Sequence, residues 1–171
     1  MKLVIIFLVG IFSLGMNTLL YSETTLEAEN VSWCFNITQG GKTFVPVGDQ
    51  TFITIWISSE SIMYFSFEDH STDTKTGCST LKFEVTKFNQ RWGGDCILWE
   101  TYNSISQYKS AIPMAINQKA LSQLMNGNNM IVWVDNHKWN VTLHNSLCAI
   151  KALLRWEKWR KDGRVGCKCS Y

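Results

Sequence analysis

Between residues 129 and 161, NMIVWVDNHKWNVTLHNSLCAIKALLRWEKWRK, the spacing of the apolar side chains changes once. In HKWNVTL, His137, Trp139, Val141 and Leu143 fall on one face, and Lys138, Asn140 and Thr142 on the other. That is the period-two pattern of a half-buried strand. MIVWV before it reads as a buried strand, with a turn at Asp135-Asn136 between the two. From Ser146 the period lengthens to that of a helix, with Asn145 or Ser146 as its cap. Lys151, Arg155 and Lys158 form one narrow stripe on it, and Leu147, Ile150, Leu153, Leu154 and Trp156 cover most of the remainder. Gly163 is the expected C-cap. A helix of this kind has to bury its apolar face on a sheet, and Cys148 in its first turn can tie it there.

The middle of the chain reads as short strands. WCFNIT places Trp33, Phe35 and Ile37 together, and TFITIWIS places Ile53, Ile55 and Ile57 opposite Phe52 and Trp56. Both faces of the latter are apolar, so it is central or lines something on each side. IMYFSF groups Met63, Phe65 and Phe67, and LKFEVTKF directs Leu81, Phe83 and Val85 inward until the pattern slips at Lys87-Phe88. Turn signals separate the runs at 40–42, 47–50, 68–77 and 89–95. GDCILWETYNSISQY reads as strand, with a helix over Cys96–Tyr108 as the alternative. The expected fold is mainly β: an antiparallel sheet, sandwich or barrel with one C-terminal helix packed on it.

The N-terminus sets the compartment. Met1-Lys2 followed by the apolar run 3–15 has the form of a secretory signal, with cleavage expected near Ser22. Residues 23–171 then form one secreted, extracellular domain, without a further apolar run that would span a membrane. ETTLEAEN, 23–30, reads as a loose polar lead. Three sequons, at Asn30, Asn36 and Asn140, agree with export and mark glycosylation sites. The six cysteines, Cys34, Cys78, Cys96, Cys148, Cys167 and Cys169, all lie after the signal and argue for disulfides. Three earlier and three later cysteines allow each bridge to join the two halves, with Cys148 reaching Cys34, Cys78 or Cys96. Cys167 and Cys169 are too close to pair with each other. No metal spacing completes the CKC pair.

A formal charge of +2 lacks the broad basic surface of a nucleic-acid binder. Eight tryptophans in 171 residues point to a dense core, an aromatic cavity or an interface. If there is a cavity, Phe52 and Trp56, or Ile53, Ile55 and Ile57 on the reverse face, are expected to line it with Tyr64 and Phe83. Glu68, Asp69 and Glu100 lie near strand ends and read as solvated carboxylates. His70, His137 and His144 have no catalytic motif around them, and no nucleophile elbow or phosphate loop is present. The expectation is a non-enzymatic binding protein without cofactor or metal.

Trp133-Val134, the cysteine opening a helix and the terminal cysteine after a basic loop resemble the C-terminal part of tick salivary lipocalins. GCSTLKFEVTKFNQRWGGDCILW resembles that family's cysteine-bearing strand and the segment after it. The resemblance implies an antiparallel barrel with a C-terminal helix. It also implies that the protein sequesters a small host mediator, an amine or an apolar lipid, without catalysis, and some members of that family bind complement proteins. The alternative is a secreted immune-evasion decoy that binds a host protein through a β-sheet-plus-helix surface.

Overall fold

A computed structural model describes residues 25–27, 32–36, 41–71, 73–104 and 107–159. In chain order the strands are β1 (Thr25–Glu27), β2 (Cys34–Asn36), β3 (Lys42–Pro46), β4 (Thr51–Ile57), β5 (Met63–Asp69), β6 (Cys78–Val85), β7 (Gln90–Leu98), β8 (Glu100–Ser104) and β9 (Gln107–Ala115). Helix α1 (Gln118–Asn126), strands β10 (Asn129–Val134) and β11 (His137–Thr142), and helix α2 (Ser146–Trp159) follow. The described strands form two sheets rather than a closed barrel, one ordered β1-β11-β10-β6-β7 and the other β2-β3-β4-β5-β9-β8. All their pairings are antiparallel except that of β1 on β11.

Alternation decides what each sheet turns inward. Ile53, Ile55, Ile57, Phe65, Phe67 and Ile112 come from the six-stranded sheet, and Leu81, Phe83, Val85, Val132, Trp139 and Val141 from the five-stranded one. Phe65 and Phe83, both fully buried, stack across the gap at 4.4 Å, and Phe67 meets Trp139 at 5.2 Å. Both helices sit at the end of the sandwich where β4 and β6 finish. α2 packs on β2, β3, β4 and α1 through Ala149, Ile150, Ala152 and Leu153. Its basic stripe faces solvent as expected, but Leu147 and Leu154 do too. Asn145 stands as the cap residue with φ 63°, its carbonyl accepting from Ala149 N. Ser146 instead donates its hydroxyl to the Leu124 carbonyl at 2.8 Å and so joins the two helices. At Gly127, after α1, a Cβ would lie 2.2 Å from Val85 Cγ1, so this junction excludes a side chain.

Several expectations change. The polar lead is not loose throughout, since Thr25–Glu27 pairs with Lys138–Asn140. Segment 90–95, read as a turn, is the start of β7, and the turn is at 86–89, with Phe88 N on Val85 O and Asn89 at φ 49°. The double glycine misled because the register shifts opposite it, between Ser79 and Leu81. There Gly93 has φ 147°, and a Cβ would come within 2.3 Å of Leu81 O. Likewise β5 runs on through Glu68, ending at Asp69 rather than at the start of the polar run. The Cys96–Tyr108 helix alternative gives way to strand.

Cys78 and Cys96 are bonded to each other, with Cα atoms 5.0 Å apart and a sequence separation of 18. This bridge staples the β6–β7 hairpin, so the expectation that each bridge joins the two halves is corrected. Antiparallel pairing had already brought the two cysteines together. Cys148 is disulfide-bonded and exposed in the first turn of α2, and Cys34 is buried in β2. Cys167, Cys169, Asn30, Gly163 and the signal segment 1–22 lie outside the described residues.

Two measurements check this architecture. Phe83→Ala should lower the unfolding free energy by about 3–5 kcal/mol in denaturant titration, and a loss under 1 kcal/mol would contradict the inter-sheet stack. Replacing Cys78 and Cys96 together by serine should cost roughly 3 kcal/mol, as expected for closing a loop of this length, and leave the far-ultraviolet circular dichroism unchanged.

Candidate functional site

The outward face of the six-stranded sheet is not an ordinary wet surface. On β4 it carries Phe52, Thr54 and Trp56, and on β5 Tyr64, Ser66 and Glu68, placed side by side by the register Phe52↔Glu68, Thr54↔Ser66 and Trp56↔Tyr64. Lys42 and Phe44 extend it on β3, and Lys109 and Ala111 on β9. Among the described residues Glu68 is the one charged side chain that is buried, at 3% exposure. This corrects its reading as a solvated carboxylate at a turn.

Both of its oxygens are occupied. Lys42 Nζ donates to Oε1 at 2.7 Å and Thr54 Oγ1 donates to the same oxygen at 3.0 Å. His70 Nε2 lies 3.0 Å from Oε2, and because an ionised carboxylate only accepts, the imidazole is the donor. Burial alone would raise the Glu68 pKa. The His70 hydrogen bond, the Lys42 charge and the Lys42 and Thr54 hydrogen bonds more than offset it, and the pKa falls from 4.5 to about 2. His70 is itself held by its backbone N on Gln50 O and by its ring against Phe52, with centroids 4.6 Å apart.

A hollow of about 230 Å³ opens beside this cluster, with Phe44 and Phe52 as apolar wall and Lys109 across from Lys42. A second, of about 180 Å³, lies on the other side of Lys42 and Glu68, against Trp56 and Ala111. Trp56 is fixed there by a stack on Tyr64 at 4.5 Å and by its Nε1 donating to Ser66 Oγ at 2.9 Å. Of the four aromatic residues expected to line a cavity, three therefore share this face: Phe52, Trp56 and Tyr64. Phe83 does not, being in the core between the sheets. Lys42, Thr54 and Lys109 carry no sequence signal, and Glu68 and His70, read from the sequence as an ordinary solvated carboxylate and turn histidine, belong to the site. The available signal was the alternation Tyr64, Ser66, Glu68, which continues two residues past the apolar run.

The other polar candidates stay apart from the hollow. Asp69 accepts from Ser71 N at 2.9 Å and lies 3.6 Å from Lys75. Glu100 is exposed. His137 and His144 are exposed near the two ends of β11. Asn140 is exposed on β11 and Asn36 half-buried on β2. No group of three metal-ligating side chains occurs among the described residues, and no described helix is long and apolar enough to cross a membrane.

No known family model matches the chain, and no curated protein matches it by sequence. Among solved structures it is similar to the crystal structure of invasion associated protein B from Bartonella henselae, at 12% identity and a TM-score of 0.48. That match covers 74% of this chain and 94% of the other.

The ion cluster predicts a defined acid limb. Because its folded-state pKa lies below the ordinary value, ionised Glu68 stabilises the fold fully above about pH 4.5, and the contribution is lost as pH falls toward about 2. Its size is on the order of 3 kcal/mol. Glu68→Gln should therefore flatten the pH dependence of unfolding between these values, and an unchanged slope would show that another group carries it.

Proposed function

We propose that the protein is a secreted, disulfide-stapled glycoprotein that binds and holds a small ligand on the outer face of its six-stranded sheet, without catalysis. The observation that carries this reading is the buried Glu68 cluster beside the hollow. A carboxylate taken out of water loses several kcal/mol of solvation, and the fold does not require one on a sheet face turned away from the core. Here it holds Lys42 and His70 in fixed positions between aromatic walls, as a few placed polar groups do in an apolar ligand site. Non-catalytic binding is supported by the state of Glu68 itself. Its oxygens are already engaged, and a carboxyl with a pKa of about 2 is a weak general base near neutrality. Export is supported by the Cys78–Cys96 bridge, and glycosylation by the exposure of Asn140.

A second reading rests on α2. Leu147, at 40% exposure, and Leu154, at 37%, stand two turns apart beside Lys151, Arg155 and Lys158. Such a surface suits a decoy that docks a protein through its helix.

A panel of small amphipathic molecules separates the two readings. A ligand on this face should change tryptophan emission saturably, and Trp56→Phe should remove most of that change because Trp56 lines the adjoining hollow that shares Lys42 and Glu68. If no member of the panel alters the emission and Leu154→Glu abolishes capture of a protein partner, the ligand-binding reading fails.

A further inference from the structure

We propose that the hollow takes a small organic acid: one anionic group seated between Lys42 and Lys109, with a flat apolar body against Phe44 and Phe52. This inference rests on the ligand-binding reading above and deepens it. Glu68 accepts from Lys42, Thr54 and His70, so it has little capacity left to receive an ammonium group. The donors are less fully used. Lys42 commits one N–H to Glu68 and keeps a quarter-exposed side chain, leaving further N–H groups for a ligand. Lys109 lines the same hollow, half-buried, and has no carboxylate within ion-pair distance among the described residues.

The local charge follows directly. Two lysines against one carboxylate leave the lining with one positive charge in excess before His70 is counted. A partly dehydrated positive lining attracts an anion and repels an amine, with a strength that water and salt reduce according to exposure. The walls select the body of the ligand. Phe44 and Phe52 meet edge to face at 6.1 Å and His70 lies against Phe52, so the surface offered is aromatic on one side of the two ammonium groups. A volume of about 230 Å³ accommodates roughly seven or eight waters at about 30 Å³ each, which suits a phenyl-substituted acid and excludes a long acyl chain lying wholly inside.

Isothermal titration of the full chain with three probes of matched shape tests this: phenylacetate, 2-phenylethanol and phenethylamine. Phenylacetate should bind on the order of tenfold more tightly than phenethylamine at low salt, with the difference shrinking as salt is added. Lys109→Gln should remove most of that preference, leave 2-phenylethanol binding unchanged and leave the unfolding midpoint in place, because Lys109 makes no ion pair among the described residues. Phenethylamine binding as tightly as phenylacetate would overturn the charge inference while leaving a ligand site intact. If all three probes fail to bind at millimolar concentration, both the inference and the reading it rests on are overturned. A preference that survives Lys109→Gln would remove the role assigned to Lys109.

Discussion

The contact of Phe65 with Phe83 is the constraint on which the remaining structure depends. The inner side of each sheet is covered mainly by the other, with α1 and α2 adding to the same core, so each strand's alternation has meaning only once the two are face to face. The stack fixes where β5 stands over β6. From that point the pairings of β4 and β9 on β5, and of β7 and β10 on β6, follow by register. With the inner side of β5 committed to phenylalanine, Tyr64, Ser66 and Glu68 have to emerge on its reverse. The candidate site is thus the back of the core, built on the same strand that holds the two sheets together.

That origin accounts for the site's rigidity. Lys42, Thr54 and Glu68 belong to three adjacent strands with continuous backbone ladders, and Trp56 and Tyr64 are locked by their stack. The salt link between Lys42 and Glu68 is worth more here than on an open surface, because Glu68 is withdrawn from water. Removing either partner leaves an uncompensated charge and disturbs the hydrogen bond to His70. Site and stability are coupled in this protein through one carboxylate.

Alternation made most of the sheet legible in the sequence. Leu81, Phe83 and Val85 were assignable to the interior from spacing, Ile53, Ile55 and Ile57 to one shared face of a strand apolar on both sides, and α2 from its change of period. Helix α1 was not anticipated, although Asn117, whose side chain accepts from Ala120 N, and Gly127 bracket it with ordinary start and stop signals. The four residues Ala120, Leu121, Gln123 and Leu124 make too short a buried face to stand out by period. The Glu68 cluster was hidden for a different reason. Lys42 and Glu68 are 26 residues apart, and what joins them is the pairing of β3, β4 and β5, which no local pattern reports. Disulfide pairing was misjudged on the same ground: symmetry in the cysteine order carries no information about which strands are neighbours.

Trp33 joins an early segment of the described chain to a late one. Its indole Nε1 donates to the Thr142 carbonyl at 3.0 Å and its backbone N to the His144 carbonyl at 3.2 Å. A chain emerging from the ribosome therefore makes one partner of this clasp more than a hundred residues before the other. Strands β6 and β7 are made early enough to set Phe83 against Phe65, but β10 and β11 come last, so until they arrive Phe67 lacks Trp139 and Trp33 lacks its acceptors. Nascent protein therefore carries a half-covered core until the last third of the chain completes the five-stranded sheet.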